Sequence, residues 1–315
     1  MIKDFLKSLG ERGALFNRKP IDVKGDRISE SVNHLNQRGF VVLDHLVGSS
    51  EFASLKRQLD KKIEHDFDLI FPCLAQKKID TNRDQDLIAK KFLVTSDELA
   101  SRKLTFCRKD VQSYEQMIAE FQPSTLTVPM PSEISFYNVW LDPDVTAIVS
   151  NYMGFYPELT EAYLRRNFPC NYPVMNHNWH RDSNHTSHLL KAFIFFTDCD
   201  IDTGAHHYIS GSVNDPRFRD KIYYTDKEIN TAWPLESEEH MVSSVKAGTI
   251  IIEDTRGLHK AGIPTRAYRD LGFAVFLPPN IFNRNKTLYR VDKSVFDKLS
   301  EEQSLFIPSA NIVAG

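Results

Sequence analysis

The sequence predicts a mainly β protein with N-terminal helices, built around an antiparallel double-sheet barrel. Three observations carry this expectation. Helical periodicities are confined to the first half, the chain beyond Pro157 reads as successive short strands separated by turn residues, and no run approaches the ~18 apolar residues of a membrane span. At 315 residues a sandwich or barrel commonly fills one unit, so residues 1–315 are read as a single domain. It comprises a helical lead (1–156), a jelly-roll-like strand-rich core (157–280) and a C-terminal tail (281–315).

The lead opens with a short amphipathic stretch, Ile2, Phe5, Leu6 and Leu9, read as a helix packed on the body. A polar helix over 27–38 stops at Gly39, and GFVVLDHL then reads as a buried strand. Ser49 and Ser50 offer N-caps to a helix whose Phe52, Leu55, Leu59 and Ile63 share one face. Residues 67–132 loosen into short apolar pieces and are read as an irregular insertion. Asp142, Pro143 and Gly154 then bracket a helix as N-cap, first-turn proline and C-terminal glycine.

Strands are expected over 159–167, 174–182, 189–198, 206–210, 240–246, 249–254 and 270–277, with turns at DIDTG, SGS and KAG. A polar, aromatic-containing segment at 212–239 interrupts them and is long enough to form a lid.

Composition narrows the partners. With 39 basic and 42 acidic residues the formal charge is −3, which provides no excess to neutralise nucleic acid or hold an anionic membrane. The start, MIKDFLKSLGERG, has no signal-peptide pattern. The four cysteines, Cys73, Cys107, Cys170 and Cys199, form no CxxC pair. A cytoplasmic protein with reduced thiols, acting on a small molecule, is the expectation.

The chemistry concentrates in NHNWHRDSNH. His180 and Asp182, two apart on a strand, point to the same face. His259 follows 259 − 180 = 79 residues later, just after the apolar strand GTIIIEDT. Two imidazoles and one carboxylate make a facial triad that leaves three coordination positions open, which suits iron(II) binding a bidentate 2-oxo acid and O₂. The far carboxylate of such a co-substrate calls for a guanidinium fork, and Arg269 stands at the head of the apolar strand RDLGFAVFLPP. Asn176 and Asn178 share the face of His180 by alternation, so an inward amide there suits the co-substrate or a water. Taken alone, HRD is weak, because His177, His185, His188, His206 and His207 crowd the same region. His206 and His207 cannot both face inward from one strand.

These residues resemble the phytanoyl-CoA dioxygenase family of iron and 2-oxoglutarate enzymes. The matching segments are NWHRD (178–182), LKAFIFFTDCDIDTGAHHYISGS (190–212), AGTIIIEDTRGLH (247–259) and Arg269, together with the GFVVLDHL strand and the LDPDVTAIVSNYMG helix. The resemblance implies a double-stranded β-helix, or cupin-like jelly roll, and decarboxylation of 2-oxoglutarate to succinate and CO₂ coupled to oxidation of a substrate by O₂. It carries the iron role onto His180, Asp182 and His259 and the co-substrate carboxylate role onto Arg269. The intact Asp182 disfavours halogenation. Family members often place a polar residue two after the distal histidine, where this chain has Ala261. A second hydrogen bond to the co-substrate must then come from elsewhere, and Thr255, Thr197 and Asn178 are the candidates. Two other readings stay open: a zinc or nickel hydrolase on a cupin-like barrel, and a binding module that kept the fold without turnover.

Overall fold

The computed structural model describes residues 26–44, 48–66, 68–173, 175–182, 188–279 and 289–314. The N-terminal stretch 2–9, His45, Leu46 and His185 lie outside the described residues. Two antiparallel sheets dominate, with several helices, and among the described residues no helix is long and apolar enough to cross a membrane.

The strands in chain order are β1 (Phe40–Leu43), β2 (Cys73–Leu74), β3 (Thr105–Phe106), β4 (Thr125–Pro129), β5 (Glu158–Asn167), β6 (Trp179–His180), β7 (Leu190–Phe195), β8 (His207–Ile209), β9 (Tyr223–Tyr224), β10 (His240–Val242), β11 (Ile250–Asp254), β12 (His259–Lys260) and β13 (Arg269–Leu277). A six-stranded sheet runs β1-β11-β7-β13-β5-β4 and a five-stranded sheet runs β10-β8-β12-β6-β9.

Period-two alternation sorts the large sheet into two faces. Ala162, Leu164, Ala192, Ile194, Ile250, Ile252, Ala274 and Phe276 join the helices in one core, while Tyr163, Phe193, Phe195, Ile251, Leu271 and Phe273 form a second core on the inner face. Both faces of β13 are therefore covered, which is why its sequence runs apolar without alternating. Helix Ser49–Glu64 packs on the outer core with Leu55, Leu59 and Ile63 fully buried, each burial worth roughly 1.5–3 kcal/mol. Helix Pro143–Met153 ends as its sequence signals require: Asp142 Oδ1 accepts from the Asp144 N–H at 2.8 Å, and Gly154 closes the helix at φ +78°.

Four local expectations are corrected. The N-cap of helix Ser49–Glu64 is Gly48, and Ser49 and Ser50 belong to its first turn. Strand β1 is not buried on both faces: it is the sheet edge, so Val41 and Leu43 turn inward while Val42 is exposed. Segment 174–182 is not one strand, because Met175–His177 is a 3₁₀ turn and only Trp179–His180 pairs. The insertion 67–132 is not wholly irregular: it contributes β2, β3, three short helices and β4, which extends the large sheet beside β5.

Residues 212–239 pack mainly on the reverse face of the small sheet, where Tyr224, Ile229 and Trp233 cluster with Trp179 and Ile209. Tyr223 is the exception, paired in register with His180 and with its ring near the imidazole.

Candidate active site

The small sheet delivers the triad. His180 of β6 and His259 of β12 are direct cross-strand partners, with ring centroids 4.3 Å apart. Asp182 lies in the bend just past β6, where its N–H donates to the Thr255 carbonyl at 2.9 Å. The bend brings its carboxylate to both imidazoles: Oδ1 is 3.7 Å from His180 Nε2, and Oδ2 is 3.5 Å from His259 Nε2. One ligand atom from each of the three residues fits within 4.8 Å of the others.

The histidine tautomers are fixed by the backbone. His180 Nδ1 donates to the Asn178 carbonyl at 2.8 Å, and His259 Nδ1 donates to the Gly257 carbonyl at 3.0 Å. Each Nε2 therefore presents a lone pair toward Asp182, which is the state a metal ligand requires. Burial pushes the pKa of His259 well below the ordinary imidazole range and that of His180 in the same direction. Burial alone would raise the Asp182 carboxyl, but Lys191 first, then His259 and His180, hold it well below the usual carboxylate range. A neutral–neutral–anionic set of nitrogen and oxygen donors fits iron(II).

The triad opens onto a cavity of about 490 Å³ between the sheets. Its inner-face floor includes Phe193, Phe195, Leu271 and Phe273, and Arg269 also lines it. Arg269 is 3% exposed and makes one side-chain bond, from Nη2 to Asn167 Oδ1 at 3.3 Å. Among the described residues its Nε has no partner and no carboxylate pairs with it. Burial lowers its pKa to about 10, still protonated at neutral pH. A buried cation without a counter-ion is costly, and an anion entering the cavity beside Arg269 would relieve that cost. Arg266, three residues earlier, is instead exposed and paired with Asp200 at 2.8 Å.

The other co-substrate candidates fall outside the cavity wall. Thr197 Oγ1 accepts from the Asp270 N–H at 3.1 Å, and Thr255 Oγ1 is buried behind the Asp182 bend without a partner. Asn178 is buried and serves His180 through its carbonyl. The lining amide is Asn176, because the 3₁₀ turn breaks the alternation assumed for 176 and 178. The Asn176 backbone carbonyl accepts from the Ala261 N–H at 2.8 Å, which holds the turn beside the strand of His259.

Several site residues escape a reading of the sequence. Lys191 lines the cavity with its ammonium 2.5 Å from Asp182 Oδ2, and Arg165 lines it from β5. His206 faces the cavity and stacks on His259, while His207 points the other way to His240. Behind His206, Nε2 lies 2.8 Å from a Glu253 carboxyl that burial holds well above the usual range. Arg181, between the two ligands on β6 and its bend, donates to the carbonyls of Ser212, Asp215, Arg217, Phe218 and Arg256 and so ties the ligand bend to the 212–218 loop. The insertion supplies the wall with Phe71, Leu74, Phe92, Val94 and Leu99, whereas no residue of 212–239 lines it.

A two-histidine, one-carboxylate set beside a cavity that also holds an uncompensated guanidinium defines the class: iron(II)- and 2-oxoglutarate-dependent oxygenases. The sequence profile described as phytanoyl-CoA dioxygenase (PhyH) matches residues 35–265, and the chain belongs to that family. It is an oxidoreductase that uses iron, 2-oxoglutarate and O₂.

Among solved structures the chain is similar to the non-heme alpha ketoglutarate dependent epimerase SnoN from nogalamycin biosynthesis, at 12% identity and TM-score 0.51 over 80% of this chain and 82% of that one. SnoN in complex with Fe3+, alpha ketoglutarate and nogalamycin RO matches at the same identity and TM-score over 80% and 83%. EctD from S. alaskensis with 2-oxoglutarate and 5-hydroxyectoine matches at 15% identity over 95% and 94%, with TM-score 0.48. At these identities the SnoN likeness speaks to the fold. No curated protein matches the sequence.

Proposed function

We propose that the enzyme hydroxylates a small-molecule substrate, with His180, Asp182 and His259 holding iron(II) and Arg269 clamping the distal carboxylate of 2-oxoglutarate. The observation that carries this reading is Arg269: a buried guanidinium with an unpartnered Nε lines the same cavity as the triad. A hydrolase needs only a metal-bound water and would leave that cation without a counter-ion. When bound, the metal would activate O₂, which is the oxidant, and 2-oxoglutarate would give up two electrons as it becomes succinate and CO₂, the other two coming from the substrate.

The protein's own part is to position and exclude. His180 and His259 aim their Nε2 atoms through bonds to backbone carbonyls, Asp182 is aimed by its N–H bond to Thr255, and Arg269 fixes the direction of the co-substrate. Phe195, Leu271 and Phe273 keep the floor apolar, which strengthens every charge contact above it. The two facing antiparallel sheets support a double-stranded β-helix for the core. Free cysteines at all four positions fit a cytoplasmic setting. Substrate choice rests with the insertion 67–132, which builds one wall of the cavity.

Anaerobic titration with iron(II) and then 2-oxoglutarate tests the reading. A weak visible charge-transfer band that requires both is expected, followed by succinate release in air. Iron binding with no spectral response to 2-oxoglutarate would overturn it.

A further inference from the structure

The cavity holds more positive charge than iron chemistry and 2-oxoglutarate account for. Among the described residues, three cationic side chains line it, Arg165, Lys191 and Arg269, against the single carboxylate of Asp182. Lys191 is matched by Asp182 at 2.5 Å, and Arg269 is assigned to the co-substrate. Arg165 is left over. Its polar contacts are Thr127 Oγ1 at 3.3 Å and the Tyr163 hydroxyl at 3.5 Å, and its guanidinium lies 5.4 Å from the Tyr163 ring centre and 5.9 Å from that of Phe273. Glu161, two strand positions before Tyr163, makes no ion pair with it among the described residues.

The neighbouring arginine sets the standard. Arg166, one residue on and facing the helices, is met by Asp270 at 2.7 Å, Asp60 at 2.6 Å and Glu64 at 3.4 Å. On a single strand the inaccessible arginine has three carboxylates within 4 Å, while the one facing the cavity has none at that distance among the described residues, Glu161 acting on it only from longer range. A guanidinium held over aromatic rings with its fork open is a recognition element for a planar or tetrahedral anion.

Position separates Arg165 from the co-substrate clamp. In register it pairs with Leu271 and Thr127, whereas Arg269 pairs with Asn167. It therefore sits one strand across and two residues along from Arg269, toward the insertion. The Ile70 N–H donates to the Thr127 carbonyl at 2.9 Å, which fastens the start of the insertion beside Arg165. From there Phe71, Phe92, Val94 and Leu99 offer an apolar wall, with Phe71 at the exposed rim.

We infer that the primary substrate is an anion with an apolar body, its carboxylate or phosphate group paired with Arg165 and its body lying on the Phe71, Phe92, Val94 and Leu99 wall. This rests on the iron and 2-oxoglutarate reading above, which reserves Arg269 for the co-substrate.

The test uses full-length protein loaded anaerobically with iron(II) and 2-oxoglutarate, titrated with 3-phenylpropanoate, phenyl phosphate and the uncharged 3-phenylpropanamide by calorimetry. At least one of the two anions binds at least tenfold more tightly than the amide, and which of them does so identifies the anionic group. Arg165→Ala reduces that anion to the level of the amide, Arg165→Lys retains part of the preference, and both variants bind iron and 2-oxoglutarate like the parent. Arg165→Gln, which keeps a donor for Thr127, takes the place of Arg165→Ala should the latter fail to fold.

Equal binding of anions and amide, or no binding by any of the three, overturns the inference. So does an Arg165→Ala variant that weakens 2-oxoglutarate as much as the anion, since Arg165 would then belong to the co-substrate site. A parent protein that forms no complex with iron and 2-oxoglutarate is a different result: it overturns the functional reading itself and removes the inference with it.

Discussion

His180 and His259 face each other across β6 and β12, and each donates its Nδ1 proton to the carbonyl two residues before it. One repeated local device therefore fixes both tautomers before any metal arrives. Because the site is preformed by the sheet, replacing His180, Asp182 or His259 with alanine is expected to abolish iron-dependent turnover and leave the fold in place. Iron content and far-ultraviolet circular dichroism, measured on the same samples, check this. Parent-like iron binding by any one variant would remove that residue from the ligand set.

Gly257 makes the second device possible. A Cβ at 257 would lie 2.0 Å from the Tyr208 hydroxyl oxygen, which donates to the Asp254 carbonyl and belongs to the strand residue paired with His259. Gly257→Ala must displace Tyr208 or the turn leading to His259. The expected cost is about 1–3 kcal/mol of stability from overpacking and a 10–100-fold loss of iron affinity from the disturbed ligand support. Denaturant unfolding and iron titration read the two effects separately, and parent-like values in both would contradict this role for the close contact.

The buried histidines predict acid sensitivity. Burial holds His177, His206 and His207 at about 3 in the folded protein, against ~6.5 when unfolded. Between those values the unfolded chain binds protons that the folded chain does not, so stability is full above about pH 6.5 and falls as the pH drops toward 3. Each such group contributes a slope of about 1.4 kcal/mol per pH unit within the window. Melting temperatures of the metal-free protein from pH 7.5 to 4.5 should decline accordingly, and less steeply in His207→Asn. A flat profile would mean that these rings take up protons without unfolding.

How far the sequence discloses the site depends on local geometry. His180, Asp182, His259 and Arg269 are legible because each sits at or beside a strand end, where side-chain type and spacing carry the chemistry. Of the two amides expected on the face of His180, Asn176 lines the cavity and Asn178 does not, because three residues of 3₁₀ turn replace the strand that alternation assumes. Arg165 could have been found: in AYLRRN, period two from Tyr163 sends Arg165 and Asn167 to one face and Arg166 to the other. Lys191 gives no such warning, since a lysine near the start of an apolar strand resembles an ordinary surface position until the opposing sheet is known. In the insertion, helices of five to eight residues are too short to display a period, so the wall they build is invisible before folding.

The most direct test of the account is the affinity of Arg269→Ala for 2-oxoglutarate in the iron-loaded protein, followed anaerobically by the charge-transfer band. Truncating one member of a desolvated charge pair costs ~2–5 kcal/mol, very roughly a 30- to several-thousand-fold loss, and Arg269→Lys should recover only part of it. Iron affinity should be unchanged, and Arg266→Ala, whose exposed guanidinium pairs with Asp200, should behave like the parent. An Arg269→Ala protein that binds 2-oxoglutarate as tightly as the parent would contradict the assignment of the cavity to that co-substrate.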